Sequence, residues 1–442
     1  RFWQRFQAGE LPQDSGRTPT LFVVIDAIPL DVAQEVHAAG ALPGFDPPVA
    51  QVSVFPSLTH VALSALARPA VDLRPPGYES LYVHVPSGEV RGSFLDGDSP
   101  GPWRTQADGM LGLGAIYLLR TAMARQEARW IRLRFKSEGG PWLGYIAATD
   151  GVAHFSGRDA LVTAFTEVCR EIVDARRAFQ SAHGVDPHVV LCSDHGMEWG
   201  LHSALSFETV VQRLRLEGYE PGRQGRRGVL SAPMGDVGAG MLWCHPDAAS
   251  DLAQLASELP GVELAVARSP GSTADRGSGT VFRVLPGRAT RARVSWGPRG
   301  LRYECLDGDP LELAPLLDRA GTADPDGWLD DGDGFAATWD HRFPDPLHRI
   351  RHGLTDLVQY PANVIFSMAS GWTVGARITQ TTAGLLGGQV GTHGSLNRAQ
   401  TLGFVACSGE GPAFEAMAKM PAVRAEHVFL GWQDLVRAGS AR

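Results

Sequence analysis

Pro187-His188-Val189-Val190-Leu191-Cys192-Ser193-Asp194-His195-Gly196-Met197 is a short apolar run that stops on two adjacent residues of metal-ligand type. It reads as a buried strand, and its end sets Asp194 and His195 at the carboxyl edge of a sheet, where open α/β sheets bind their ligands. Two more runs stop in the same way. Leu21-Phe22-Val23-Val24-Ile25 leads to Asp26, and Trp142-Leu143-Gly144-Tyr145-Ile146-Ala147-Ala148-Thr149 leads to Asp150. Three carboxylates then line one rim. A buried aspartate does not stay ionised without a partner, so several together need cations or strong donors, and metal ions meet that need best.

Around these runs the chain alternates strand and helix signals from residue 20 to about 225. A helical segment is predicted near Ala160 to Gln180, and an amphipathic one over Leu111 to Arg134 that covers the sheet. That rhythm predicts an α/β fold with a mainly parallel central sheet flanked by helices. Between Gly228 and Asp345 the texture changes to short β-like runs such as Val281-Phe282-Arg283-Val284-Leu285, broken by Pro, Gly and Asp. We read residues 228–345 as a smaller inserted α+β cap, and residues 1–227 and 346–442 as the core. Asp330-Asp331-Gly332-Asp333-Gly334 lacks the twelfth-position Glu of a calcium loop and reads as a solvated turn.

Histidines extend the acidic set. His154 follows Asp150 at a spacing of four, which one tight turn aims at a single ion, and His393 lies far downstream in Gly391-Thr392-His393-Gly394. Imidazole and carboxylate without a thiolate motif suit zinc or manganese. Phe55-Pro56-Ser57-Leu58-Thr59-His60 reads as a turn feeding a helix, with Thr59 near the helix start, where free N–H groups favour an anion. A metal or base would activate that hydroxyl. The plain alternative is that Ser57 or Thr59 caps the helix.

In this order the motifs resemble the alkaline phosphatase superfamily, within it the type I phosphodiesterase/nucleotide pyrophosphatase branch. The resemblance rests on Asp26, Phe55-Pro56-Ser57-Leu58-Thr59, Asp150 with His154, Ser193-Asp194-His195-Gly196-Met197 and Thr392-His393-Gly394. It implies an alkaline phosphatase-like core with two divalent ions, zinc first and manganese second. Asp26, Thr59, Asp194 and His195 would hold one ion, and Asp150, His154 and His393 the other. It further implies in-line phosphoryl transfer through a phosphothreonine at Thr59, with two inversions and net retention at phosphorus. The implied substrate is a small phosphate ester, cleaved by a phosphodiesterase. A phosphomonoesterase, a phosphotransferase and a non-catalytic binding relative are the alternatives. Two departures leave the substrate open: Thr59 is followed by His60-Val61-Ala62 instead of a Phe-Pro-Asn element, and Asp26 by Ala27 where many relatives carry Gly.

Composition bounds the rest. With 48 acids against 40 bases and a net charge of −8, the chain has no basic footprint for general nucleic-acid binding. The arginines of Pro221–Gly228 sit among glycines and read as an exposed linker. No stretch reaches the ~20 apolar residues of a membrane span. Five dispersed cysteines form no Cys-x-x-Cys pair, which fits a reducing, cytoplasmic setting. Export stays open, because Arg1 in place of Met leaves room for a trimmed signal. Phe2, Trp3 and Phe6 are expected to pack on the core, and Trp199 and His202 to flank the pocket or the surface.

Overall fold

The computed structural model describes residues 19–68, 74–92, 119–138, 142–233, 235–321, 323–385, 387–409 and 412–429. The Phe2, Trp3 and Phe6 cluster and residues 111–118 of the amphipathic stretch lie outside them.

Six strands form the central sheet, in the order Ala422–Arg424, Val49–Val52, Leu402–Ser408, His188–Cys192, Thr20–Ile25 and Trp142–Ile146. Leu402–Ser408 runs antiparallel to both neighbours, and the other five strands share one direction. The sheet is therefore mainly parallel, as the alternating pattern predicts. Its strands are mostly apolar because both faces are covered. Leu21, Val23 and Ile25 point into a core shared with the helices Leu30–Ala38, Arg120–Glu138, Ala148–Ser156 and Arg158–His183. Phe22 and Val24 point the other way, onto Leu63 and Leu66 of the helix Thr59–Ala67 and onto Phe429. The long helix predicted near Ala160 spans Arg158–His183 and ends on Gly184 in the left-handed region, a common helix stop.

A second, nine-stranded sheet is almost wholly antiparallel and draws on residues from Glu220–Pro221 to Val364–Met368. It overlaps the segment 228–345 and continues beyond it, since Val364–Met368 is one of its central strands. The helix Pro346–Thr355 packs on this sheet, and Val54, Phe55, Leu58 and Val61 share its core with Leu264, Val266 and Trp296. The segment that leads to Thr59 thus lies between the two sheets. The Pro221–Gly228 arginines are exposed, in a turn that links two short strands of the second sheet.

Two local readings need correction. Asp330-Asp331-Gly332-Asp333-Gly334 is not a solvated turn but the start of the helix Asp331–Thr338: Asp330 Oδ1 accepts the Gly332 N–H at 2.9 Å as a cap, and acids suit that end of the helix dipole. Asp150 does not end a strand either. The strand stops at Ile146, and Asp150 with His154 occupies one face of the helix Ala148–Ser156, one helical turn apart.

All five cysteines are free, with Cys169, Cys192 and Cys407 buried. Among the described residues, no helix is long and apolar enough to cross a membrane.

Candidate metal centre

Each strand end places its residue by a local device. After Ile25 the chain turns sharply, with Ala27 at φ 59°. The freed N–H groups of Ala27 and Ile28 bond to Asp194 Oδ1 at 3.1 Å and Ser193 Oγ at 2.9 Å, which ties the Asp26 turn to the Asp194 turn. The Asp194 carbonyl accepts from Ser53 Oγ at 2.6 Å. Glu127 fixes the start of the helix that carries Asp150 by accepting the Ala148 N–H at 3.0 Å.

The Thr59 and His393 turns are stapled together by Ser57. Its N–H bonds to the Gly394 carbonyl at 3.2 Å, its hydroxyl accepts the Gly394 N–H at 3.2 Å, and its carbonyl accepts from His393 Nδ1 at 2.9 Å. Ser57 is wholly buried in this role, which sets it apart from Thr59. Thr59 opens the helix Thr59–Ala67, whose first N–H groups have no helical acceptor. Trp199 pairs with Gly391 in a two-residue ladder beside His393, and His202 is half-buried.

All seven residues singled out in the sequence converge. Thr59 Oγ1 lies 3.3 Å from His195 Nε2. That nitrogen lies 3.3 Å from Asp194 Oδ2 and 3.5 Å from Asp26 Oδ1. His154 Nε2 meets Asp150 Oδ1 at 3.1 Å, and His393 Nε2 lies 3.8 Å from the same oxygen. The rings of His195 and His393 stack at 3.8 Å, which joins the two halves. Ligand-type atoms of Asp26, Asp194 and His195 lie within 4.8 Å of one another, as do those of Asp150, His195 and His393.

Do these residues fit metal ions? Two features say so. Oδ1 of Asp26 and Oδ2 of Asp194 are buried and take no hydrogen bond from the described residues, although a buried carboxylate oxygen needs a donor or a cation. Each histidine also spends Nδ1 on a backbone carbonyl: His154 on Gly391 at 2.7 Å, His195 on Gly196 at 3.0 Å and His393 on Ser57 at 2.9 Å. A carbonyl only accepts, so Nδ1 carries the hydrogen and Nε2 is turned to the centre, the arrangement that metal-binding histidines use.

The electrostatics agree. Burial, together with the charges of Asp194 and Asp150, pushes Asp26 well above the carboxylate range, and burial lifts Asp194 to about 6. Burial pulls His195 down to about 4, and burial with the neighbouring His195 and His154 pulls His393 down to about 3. Burial opposes the charged form of Asp150 and His154 too, yet their mutual attraction outweighs it, holding Asp150 low and His154 high. Without a cation the site crowds like charges; two divalent ions would relieve it.

Sequence reading missed Tyr145, whose hydroxyl donates to Asp26 Oδ2 in a buried hydrogen bond. The only available signal is a polar tip inside an apolar strand. It missed Glu198 as well, which accepts from Asn397 at 3.1 Å and Gln400 at 2.7 Å and so steadies the segment after His393.

No known family profile matches the chain, and no curated protein matches it by sequence. Solved structures do. Phosphonoacetate hydrolase from Sinorhizobium meliloti 1021, in complex with phosphonoacetate, aligns over 97% of both chains at 11% identity with a TM-score of 0.51. Murine ectonucleotide pyrophosphatase/phosphodiesterase 5, an inactive form in complex with AMP, aligns over 95% of both chains at 11% identity with a TM-score of 0.48. The human form of that protein aligns over 95% of both chains at 10% identity with a TM-score of 0.48. The likeness is one of fold, and by its sheet order and its match to the hydrolase this chain is an alkaline phosphatase-like α/β protein.

Proposed function

We propose that the chain is a two-metal phosphodiesterase that works through a covalent phosphothreonine at Thr59. The observation that supports this most directly is the Thr59 hydroxyl, held at a helix start 3.3 Å from His195 Nε2 beside two carboxylate oxygens that lack donors. Asp26, Asp194 and His195, with the Thr59 oxygen, would hold one ion; Asp150, His154 and His393 would hold the other. Zinc suits this donor set first and manganese second. When bound, such a pair lowers the pKa of the attacking hydroxyl and takes up charge on the departing oxygen.

The chain's own groups do the rest. The free N–H groups at the start of the Thr59 helix bind a phosphoryl oxygen and line phosphorus up with Oγ1. Oγ1 loses its proton and bonds to phosphorus as the first alcohol departs. Water then displaces Oγ1, which releases the monoester and restores Thr59.

A diester suits the site better than a monoester. Among the described residues no arginine or lysine pairs with Asp26, Asp194 or the three histidines, whose polar contacts are to one another, to Asp150, Thr59, Tyr145, Ser53 and Ser193, and to backbone groups. A doubly charged monoester calls for such a cation more than a singly charged diester does.

Thr59→Ala is the test. The variant is expected to keep metal binding largely intact, since six of the seven ligand residues remain, and to lose at least ~1,000-fold in turnover, about 4 kcal/mol of barrier. Acid quenching of the parent during turnover on a diester should trap on Thr59 a phosphoryl group that still carries the second alcohol, read by mass spectrometry. Full activity in the variant would overturn the covalent route.

A further inference from the structure

Beside the segment that leads to Thr59, and lined by none of the seven candidate site residues, lies a cavity of 360 Å³. Its walls are the chain from Val52 to Phe55, Ala65 and Arg68 of the Thr59 helix, the helix Pro346–Thr355, and the turn at Arg424–His427. That volume is room for about a dozen waters, or for one small ligand.

The charges in its wall are unevenly matched. Each of the four acids is already bound to a base. Asp331 pairs with Arg424 and with His348 at 3.0 Å, Asp345 with Arg424 at 2.6 Å, Glu426 with His348 at 2.6 Å, and Asp356 with His352 at 2.6 Å and Arg68 at 2.9 Å. Arg349 differs. It is 2% exposed, and its guanidinium meets the carbonyls of Pro344 at 3.0 Å, Leu396 at 3.2 Å and Val54 at 2.9 Å and lies 5.9 Å from the centre of the Phe55 ring. Its Nε takes no acceptor, and no carboxylate pairs with it among the described residues. Asp345 and Glu426 favour its charge, but both are committed to Arg424 and His348, and burial outweighs them. The cavity's acids are spent, whereas its spare capacity is in donors: Arg68 uses only Nη2, on Asp356, and its side chain is 25% exposed.

We propose that this cavity binds a small oxyanion, phosphate or carboxylate, held by Arg68 and by the unpartnered Nε of Arg349. Arg349 bonds to the carbonyls of Val54, on the path to Thr59, and of Leu396, three residues after His393, so an anion here would sit against the support of both turns.

Calorimetry on the metal-loaded protein, titrated with inorganic phosphate and separately with acetate, tests this. Repeating both titrations after chelation removes any contribution from the metal centre. One site that survives chelation is expected, weakened at least tenfold in Arg68→Gln and in Arg349→Gln. Arg68→Gln keeps the test sound if the buried Arg349 variant fails to fold. Retention of phosphate marks a phosphate site, and retention of acetate alone marks a carboxylate site. Loss of all binding on chelation, or parental binding by Arg68→Gln, would overturn the proposal. The outcome does not depend on catalysis, so it stands or falls apart from the diesterase reading.

Discussion

Ala27 follows Asp26 with φ at 59°, a conformation that a side chain resists and glycine accepts freely. The sequence shows only that Ala stands where many members of the family it resembles carry Gly; the structure supplies the reason. Ala27→Gly is expected to raise stability by about 0.5–1 kcal/mol, read as a shift of the denaturation midpoint at constant slope. An unchanged midpoint would mean that the turn carries no strain. At Tyr145 the lesson runs the other way. Its hydroxyl holds Asp26, and Tyr145→Phe should weaken metal affinity about tenfold while leaving the fold intact, measured by competition with a chelating dye. The candidate site residues could be singled out because Asp26, Asp194 and His195 close short apolar runs, Asp150 and His393 sit beside glycine, His154 follows Asp150 by one helical turn, and Thr59 stands at a turn that feeds a helix. Tyr145 was not, because its partner is 119 residues away and its own strand reads as plain core.

At the scale of elements, the helix Pro346–Thr355 is what the second sheet leans on. Gly353 faces the Phe55 carbonyl so closely that an added Cβ would come within 2.4 Å of it. Gly353→Ala should therefore cost about 1–3 kcal/mol and also disturb the turn that leads to Thr59, seen as a lower midpoint together with slower turnover. The same helix carries His348, between Asp331 and Glu426. Burial and Arg424 oppose its charge, but the two carboxylates prevail and raise it from 6.5 to about 9. A raised imidazole stabilises the fold fully below its unfolded value and loses that contribution as pH climbs through its folded value. Stability should thus fall between pH 6.5 and about 9, by on the order of 2 kcal/mol, and His348→Gln should flatten that slope. An equal slope in the variant would place the titration elsewhere. None of this cluster was legible, since Asp331, His348 and Glu426 lie far apart in the chain and each alone reads as solvated charge.

For the whole molecule, the central sheet could be read from the sequence because parallel strands buried on both faces leave unbroken apolar runs separated by helical periods. The second sheet could not be read in extent. Its middle pairs Met241 with Ile365 and Ala265 with Phe366, contacts about a hundred residues apart that no local period records. His393 is brought beside Asp150 and His154 by contacts that are also distant in sequence, the Gly391–Trp199 pair and the Val390 N–H bond to the His154 carbonyl at 2.7 Å. Since the proposed metal ligands run from Asp26 to His393, ions bound there should tie the core together. At a thousandfold excess over the dissociation constant, a single bound ion adds about 4 kcal/mol, so chelation should lower the melting temperature and zinc should restore it. No shift on chelation would mean that the centre binds no ion tightly.

The most direct measurement is the rate of the purified chain on bis(p-nitrophenyl) phosphate, on p-nitrophenyl phosphate and on phosphonoacetate, each with chelator and then with zinc or manganese. A two-metal diesterase cleaves the diester fastest, falls silent with chelator and recovers with metal. Preference for phosphonoacetate or the monoester, or diester cleavage that chelator leaves untouched, would contradict it.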